Sequence, residues 1–433
     1  MLGLFLILPV FALYAEHLAD VTPVLVGMAI GIYGLTQAAL QIPFGMLSDR
    51  IGRKPVIIGG LILFAFGSVI AAQADSIWGV ILGRAIQGSG AIAAAVMALA
   101  ADLTREQNRM KAMAVIGMSI GLAFAVSLIL GPMLNTWIGV PGIFWLTAVL
   151  ALAGVGITLY LVPNPRESHF HRDTEPVPGQ FGRVLANPDL LRLDFGILSL
   201  HMGLTAVFLA LPLALRDWAG LASADHWLVY LPALLLAIVL MIPFVVIAEN
   251  RRKMKPVFLG AIAALVLAQF GFIAFHRSPW GIGLALLLYF TAFNVLEATL
   301  PSLVAKMAPA ESKGTAMGVY STSQFLGAFI GGVIGGWMHA RYGLNGVYWL
   351  VAAGMALWLL LAWRMTPPSY LNSHLLRVGV MEAAQAEELQ RRLLAMQGVG
   401  DAFVVAEEGV AYLKVDPKQV DFDALDAFSA ADG

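Results

Sequence analysis

"GMLSDRIGRKP", residues Gly45–Pro55, puts four charges into eleven residues of an otherwise oily chain. The run before it reads "GMAIGIYGLTQAALQIPF" and the run after it "VIIGGLILFAFGSVIAA". Both are long and apolar enough to cross a lipid bilayer, for which about 20 residues suffice. A charged, glycine-punctuated hairpin between two such segments is either a solvated turn or a working part.

The rest of the 433-residue chain has the same texture: 59% of it is hydrophobic and only 12% charged. A soluble domain is about a quarter charged, so this chain is dissolved mainly in lipid. Twelve apolar runs are expected, over 2–16, 22–46, 55–73, 76–102, 111–135, 141–162, 191–214, 227–248, 256–275, 279–305, 314–339 and 345–364. The first run has neither a basic leader nor a small-residue cleavage site, so it reads as a span and not a signal peptide. It is short, and the expectation is that the natural chain starts upstream of Met1; the alternative is a short helix helped by snorkelling and local thinning. A net charge of −1 leaves no basic footprint for nucleic acid, and the absence of cysteine excludes disulfides and thiolate metal sites. The 44 glycines suit helices packed closely through small residues.

Lys and Arg favour the loops after runs 2, 4, 6, 8 and 10, from Arg50, Arg53 and Lys54 through Arg105, Arg166, Arg172 and Arg183 to Arg251, Arg252, Lys253 and Lys313. The opposite loops carry little beyond Arg216, Arg277 and Arg341. The positive-inside rule therefore places both termini in the cytoplasm. The polar stretch 163–190 divides the spans into a six-helix bundle over 1–162 and another over 191–366. The halves echo one another: "IPFGMLSDRIGRKPV" at Ile42 against "IPFVVIAENRRKMKPV" at Ile242, with Asn250 standing for Asp49, and Arg109 against Lys313. Two repeats related by an axis along the membrane normal are a transporter architecture, with a midplane site between them.

After Pro367 the pattern changes. "LLRVGV" reads as a strand, "EAAQAEELQRRLLAMQ" as a helix and "DAFVVAEEGVAYLKVD" as a hairpin turning at Glu408–Gly409. A short helix from "DFDALDAFSA" completes a small βαββα, ferredoxin-like domain over 372–430. Its acidic residues read as a solvated face.

The hairpin, Gly45-x-x-x-Asp49-Arg50-x-Gly52-Arg53-Lys54-Pro55, resembles the loop 2–3 signature, motif A, of the major facilitator superfamily. Arg84-x-x-Gln87-Gly88 is similar to the family's proton-transfer motif. "GMSIGLAFAVSLILGP", with Gly121, Gly131 and Pro132, resembles its antiporter motif in part, because Leu134 and Asn135 stand where glycines are common. With its tail, the chain is similar to the YajR-type subgroup of bacterial proton-driven drug-efflux transporters. That subgroup's tail resembles heavy-metal-associated domains, but no Cys-x-x-Cys is present here. The resemblance implies the major facilitator fold in a bacterial inner membrane. It implies a one-chain transport unit with a small-molecule substrate, no cofactor, and a proton gradient as energy source. It also implies that Asp49 docks on the start of the eleventh helix at Gly314, clasping the halves together, while Arg53 pairs with Asp49 and Asp102.

A carboxylate at a helix N-terminus gains about 0.3–1 kcal/mol exposed and up to about 2 partly buried, so the clasp has a physical basis. Inside the membrane each ionisable group needs a reason, since insertion costs roughly 2.5–3.5 kcal/mol. Glu297 reads as the one carboxylate deep in a span and as the protonation site, with a structural acid or a cation-binding acid as alternatives. Arg84 either tunes a nearby carboxylate or packs a helix contact. Gln37, Gln41, Asn294 and Gln324 line a substrate cavity or glue helices, His201 reads as a packed histidine, and His169 and His171 as solvated. No phosphate-binding loop and no catalytic cluster is present, so ATP drive and enzymatic chemistry have no support. The expected function is a proton-coupled exporter of amphipathic small molecules. The alternatives are a proton symporter and a sensor signalling through a tail with an unknown ligand.

Overall fold

A computed structural model describes residues 2–104, 106–164, 178–367 and 371–429 of the chain. Arg105 and the linker residues Arg166, His169, His171 and Arg172 lie outside them. Among the described residues nine helices are long and apolar enough to cross a membrane. Two of the nine are folded pairs: Glu106–Tyr160 turns at Gly139 (φ 66°) and Lys313–Trp363 at Gly343 (φ 66°). A left-handed φ is open to glycine at no steric cost, so each glycine turns the chain within a continuous helical run. Counting the pairs as two crossings each gives eleven, and the short helices Leu2–Phe5 and Phe11–Ala15 form the twelfth.

In chain order α1 is that broken first segment. Next come α2 (Pro23–Ile51), α3 (Arg53–Ala72) and α4 (Ile77–Ser89 with Ala93–Asp102). The limbs of the first folded pair are α5 and α6. Then follow α7 (Pro188–Leu213, running on through a π turn to Trp218), α8 (Trp227–Asn250), α9 (Met254–Ala274) and α10 (Pro279–Met307). The second folded pair supplies α11 and α12. Short linker helix Phe181–Leu185 precedes α7, and Arg183 pairs with Glu311 before α11. Trp78, Trp137, Trp280 and Trp337 are all exposed near the turns opposite the Gly45–Pro55 hairpin. Tryptophans gather at the headgroup level, so they mark one rim of the membrane band.

The tail folds as expected from its alternation. Strands β1 (Asn372–Arg377), β2 (Val399–Val405) and β3 (Val410–Val415) form an antiparallel sheet in the order β1-β3-β2. Helices α13 (Ala383–Leu394) and α14 (Phe422–Asp426) join it, and Gly409 takes the left-handed turn of the hairpin at φ 64°. Ala411, Leu413 and Val415 fill the core with Leu393 and Leu425.

Lys414, on the other face of β3, is buried. Its ammonium donates to the carbonyls of Lys306, 2.7 Å away, and of Ala308. These are the last carbonyls of α10, where a helix concentrates negative potential. Asp416 accepts from Arg252 at 2.7 Å, and Lys313 donates to Ser373 at 3.2 Å. The tail is thus fastened to the second bundle at both of its basic turns.

Burial pulls the Lys414 ammonium down from 10.5 to about 8, with Asp401 opposing and Lys313 assisting. Between those two values the undocked tail holds the proton more often, so docking strengthens as pH rises from about 8 towards 10.5. Hydrogen exchange of β3 at pH 7 and pH 9.5 measures this, and Lys414→Met removes the difference.

Candidate functional site

The halves meet along α2 and α11, where small residues let backbones touch. A Cβ on Gly27 would lie 1.9 Å from the Gly332 carbonyl oxygen, and one on Gly336 would lie 2.3 Å from that of Pro23. Below these, Gly31 faces Phe329 and Gly34 faces Phe325. The seam ends at Gln41, whose amide donates to Thr322 at 2.9 Å. At the tryptophan-marked end Arg216 forks onto Glu16 with bonds of 2.6 and 2.8 Å, joining α7 to α1. Phe124 of α5 meets Phe208 of α7 and Phe290 and Phe293 of α10, with centroids 6.0–6.4 Å apart. All these contacts between halves run from mid-membrane to one end; that end is closed.

At the opposite end lies the charged hairpin. Gly52 turns it at φ 95°, and Arg53 folds back into the bundle, almost fully buried. Its guanidinium pairs with Asp49, lies 3.2 Å from Asp102 and donates to Ser48 at 2.9 Å. Ser48 in turn donates to the Gly45 carbonyl at 2.7 Å, and Gly45 admits Ala94 of α4 at close range. Lys54 reaches the carbonyl of Val162, whereas Arg50 is exposed. The expected charge cluster of Asp49, Arg53 and Asp102 therefore assembles. Among the described residues, however, Asp49 makes no hydrogen bond to the start of α11. Thr315 there instead meets Gln180 of the linker at 3.4 Å.

The second copy of the hairpin corrects the expected alignment. Arg252 has φ 53° where Gly52 has φ 95°, so the inserted residue follows the turn and Glu249, not Asn250, occupies the place of Asp49. Glu249 lies 2.5 Å from Lys306 at the end of α10 and accepts from Ser302 at 2.9 Å. The two clusters are pseudo-equivalent, with the charge at the end of the fourth helix of each half reversed.

Arg84 is buried among neutral groups. It donates to the carbonyls of Ala29 and Ile30 at 3.3 Å and to Gln87 at 3.0 Å, over the Tyr33 ring at 5.1 Å. The expected carboxylate is not beside it among the described residues, and the arginine ties α4 to α2 instead. Gln87 continues the network to Ser68 at 2.6 Å. In the antiporter-like stretch, Gly131 lets α5 approach the Leu6 carbonyl of α1, and Pro132 follows it buried, but Gly121 has open space around it. Gln37 is buried in the seam.

Glu297 sits mid-way along α10. Its Oε1 lies 3.4 Å from His201 Nε2 on α7, and that nitrogen lies 2.8 Å from the Gln324 amide on α11. A third of the Glu297 side chain stays accessible, while its Oε1 is buried with no hydrogen-bond partner among the described residues. Phe293, one turn before it, faces His201 at 6.0 Å and stacks with Phe124 at 6.3 Å. Asn294 lies partly buried beside Phe293. The site is thus an acid, a histidine and two amides against an aromatic wall, at the point where the closed seam ends.

Glu297 is not the one carboxylate within a span. Asp194 of α7 is 7% exposed, and its Oδ2 has no hydrogen-bond partner among the described residues. In "LLRLDFGILSL" it stands three residues beyond the expected start of the run and reads as its flank; α7 begins at Pro188, which draws Asp194 inside.

A family model described as Major Facilitator Superfamily matches residues 1–332 and 193–393, and one described as YajR YAM domain matches 376–426. The chain is 50% identical to the inner membrane transport protein YajR of Escherichia coli over 96% of its own length and 92% of the relative's. It is 25% identical to the multidrug resistance protein MdtH of Yersinia enterocolitica, over 78% of this chain and 83% of that one. Among solved structures, a bacterial homolog of the human lysosomal transporter Spinster, described as inward-facing and occupied, superposes with a TM-score of 0.68 at 13% identity. That match covers 84% of this chain and 94% of the other.

Two predictions follow from the geometry. Gly332→Ala pushes a methyl group against the Gly27 carbonyl, an overpacking that costs about 1–3 kcal/mol, and opens the closed end. The cysteine-free chain allows a direct check: in a Met28→Cys background, an impermeant maleimide added at that end labels faster with Gly332→Ala. Arg53→Ala, which breaks a buried pair, lowers thermal stability by about 3 kcal/mol, whereas exposed Arg50→Ala stays within about 0.5 kcal/mol.

Proposed function

The chain belongs to the Major Facilitator Superfamily, a family of transporters and not of enzymes, and on that premise we propose that it is a proton-coupled exporter of amphipathic small molecules. It works by alternating access in a bacterial inner membrane. The observation that carries this reading is the Glu297 site. A carboxyl group deep in a span, 3.4 Å from His201, with its Oε1 unpartnered among the described residues and a third of its side chain accessible, is equipped to exchange protons and to attract a cation. Phe124, partly exposed and backed by the buried rings of Phe290 and Phe293, offers apolar contact and a π face nearby. Lipophilic organic cations combine those two chemistries, and the multidrug resistance relatives agree with such a substrate class.

The bias of Lys and Arg puts the hairpin, the linker and the tail in the cytoplasm. On that orientation the closed end faces outward and the structure is an inward-facing state. The position of Asp49 fits it. With the cytoplasmic ends apart, its carboxylate rests on Arg53; when they close, it meets the start of α11 and clasps the outward-facing state. One proton moving inward releases about 2.3 kcal/mol per 100 mV, enough for a modest substrate gradient.

Purified protein in liposomes with an internal pH dye, challenged with tetraphenylphosphonium and related cations, tests the reading. Proton flux driven by the cation is expected in the wild type and lost in Glu297→Gln. Flux that survives this substitution removes Glu297 from the mechanism, and no flux with any cation overturns the exporter reading. Deleting residues 372–433 is expected to change the rate only; complete loss favours the sensor.

A further inference from the structure

We propose that Asp194 is a second proton-binding carboxylate of the transport cycle, placed between Glu297 and the hairpin end of the membrane. The proposal rests on the reading of Glu297 as an exchangeable site and extends it into a path.

Depth comes from the helices themselves. At 1.5 Å per residue, Asp194 lies about 9 Å from the start of α7 and Tyr320 about 10 Å from the start of α11. Glu297 lies about 15 Å from the end of α10, and Gln324 about 16 Å from the start of α11. The four groups therefore form two levels. Asp194 and His201 are seven residues apart on one face of α7, and Tyr320 and Gln324 are four apart on one face of α11. These faces meet: a Cβ on Gly327 of α11 would lie 2.1 Å from the carbonyl of Leu198, midway between Asp194 and His201. Tyr320, buried, is within electrostatic reach of both Glu297 and Asp194.

The groups facing Asp194 do not neutralise it. From α11 comes the Tyr320 hydroxyl, itself neutral, and from α12 the Trp358 indole packs against Gly196, two residues along α7, with an N–H that has no partner among the described residues. On its own helix, Arg192 is engaged by Asp189 at 2.5 Å, and Asp189 also accepts from Thr366 at 2.6 Å. A carboxylate that is 7% exposed and without a cation partner among the described residues is an expensive group to keep ionised. A proton relieves that cost, and the carboxyl group one level deeper in the membrane, coupled to the same Tyr320, is Glu297. In the transfer, the O–H bond of Glu297 breaks as water takes the proton, and a water O–H bond breaks as one forms on Asp194. The net change is one proton moved from the upper carboxyl group to the lower, past the buried Tyr320.

Infrared titration of the full chain in detergent tests this without a substrate. Two protonated-carboxyl bands that respond to pH are expected, one lost in Glu297→Gln and the other in Asp194→Asn. A wild-type spectrum in Asp194→Asn overturns the proposal whatever Glu297 does. In liposomes with tetraphenylphosphonium, flux is expected to be lost in Asp194→Asn, restored by Asp194→Glu, and slowed with an altered pH profile in Tyr320→Phe. Flux in Asp194→Asn that matches wild type across the pH range overturns the relay. Loss in Asp194→Asn with flux intact in Glu297→Gln sinks the Glu297 assignment and leaves Asp194 as the proton site.

Discussion

The contact of bare backbone between α2 and α11 is the constraint on which the remaining geometry depends. In a bilayer, lipid tails are as apolar as leucine, so helices gain little from burying apolar surface against each other. They associate by close packing and by hydrogen bonds that lipid cannot supply. Gly27, Gly31 and Gly34 on one side and Gly332 and Gly336 on the other give that packing over three turns. The Gln41–Thr322 bond closes it below, and the Arg216–Glu16 fork closes it above. The fork is between a third and a half exposed, a setting in which an ion pair contributes about 0–1 kcal/mol. The seam must therefore hold mainly through packing, with charge selecting the register.

A seam made mainly of glycine backbone has a functional consequence. Few side chains interdigitate, the Tyr33–Phe325 edge contact being one that does, so the helices can separate with little withdrawal of knobs from holes. What resists separation is the summed dispersion of a short stretch, each atom pair worth about 0.1–0.2 kcal/mol. A proton added to or removed from one buried carboxyl group is of comparable weight. On the proposed coupling, that match lets a titration at the Glu297 level decide whether the halves are joined above it or below it.

The twelve crossings, the two bundles and the βαββα tail were legible because each rests on composition or period over many residues. The Asp49–Arg53–Asp102 cluster was legible from the resemblance of the hairpin to motif A, and the spacing of Arg53 four residues after Asp49 across a glycine turn permits it. Arg84 misled because a buried guanidinium suggests a carboxylate, yet carbonyls and the face of Tyr33 satisfy it equally well. Asp194 was missed because a one-turn error in a helix start moves a residue from the interface into the bundle. Glu249 was misplaced because the extra residue of the second copy was set before the acid, although counting from the shared Ile42-Pro-Phe and Ile242-Pro-Phe puts Glu249 opposite Asp49. The backbone agrees with that count, since Arg252, at the place of Gly52, adopts the left-handed conformation that favours glycine.

That arginine connects the two ends of the chain. In the first half, the turn at Gly52 is free to meet α11, and its acid is partly exposed. In the second half, the equivalent turn is taken: Arg252 is held by Asp416, and the end of α10 by Lys414. The asymmetry is physical. Two identical clasps would close with equal ease and leave the halves no preferred partner. A charge-reversed copy, fixed by a domain that only this bundle carries, makes the second half the stationary body. On the proposed cycle, Asp49 is left as the group that moves between two resting places, Arg53 and the start of α11. Alternating access then needs one clasp and one anchor, and the tail's contact surface, confined to loops 251–256 and 306–313 among the described residues, is where an anchor must sit to leave the α2–α11 seam free.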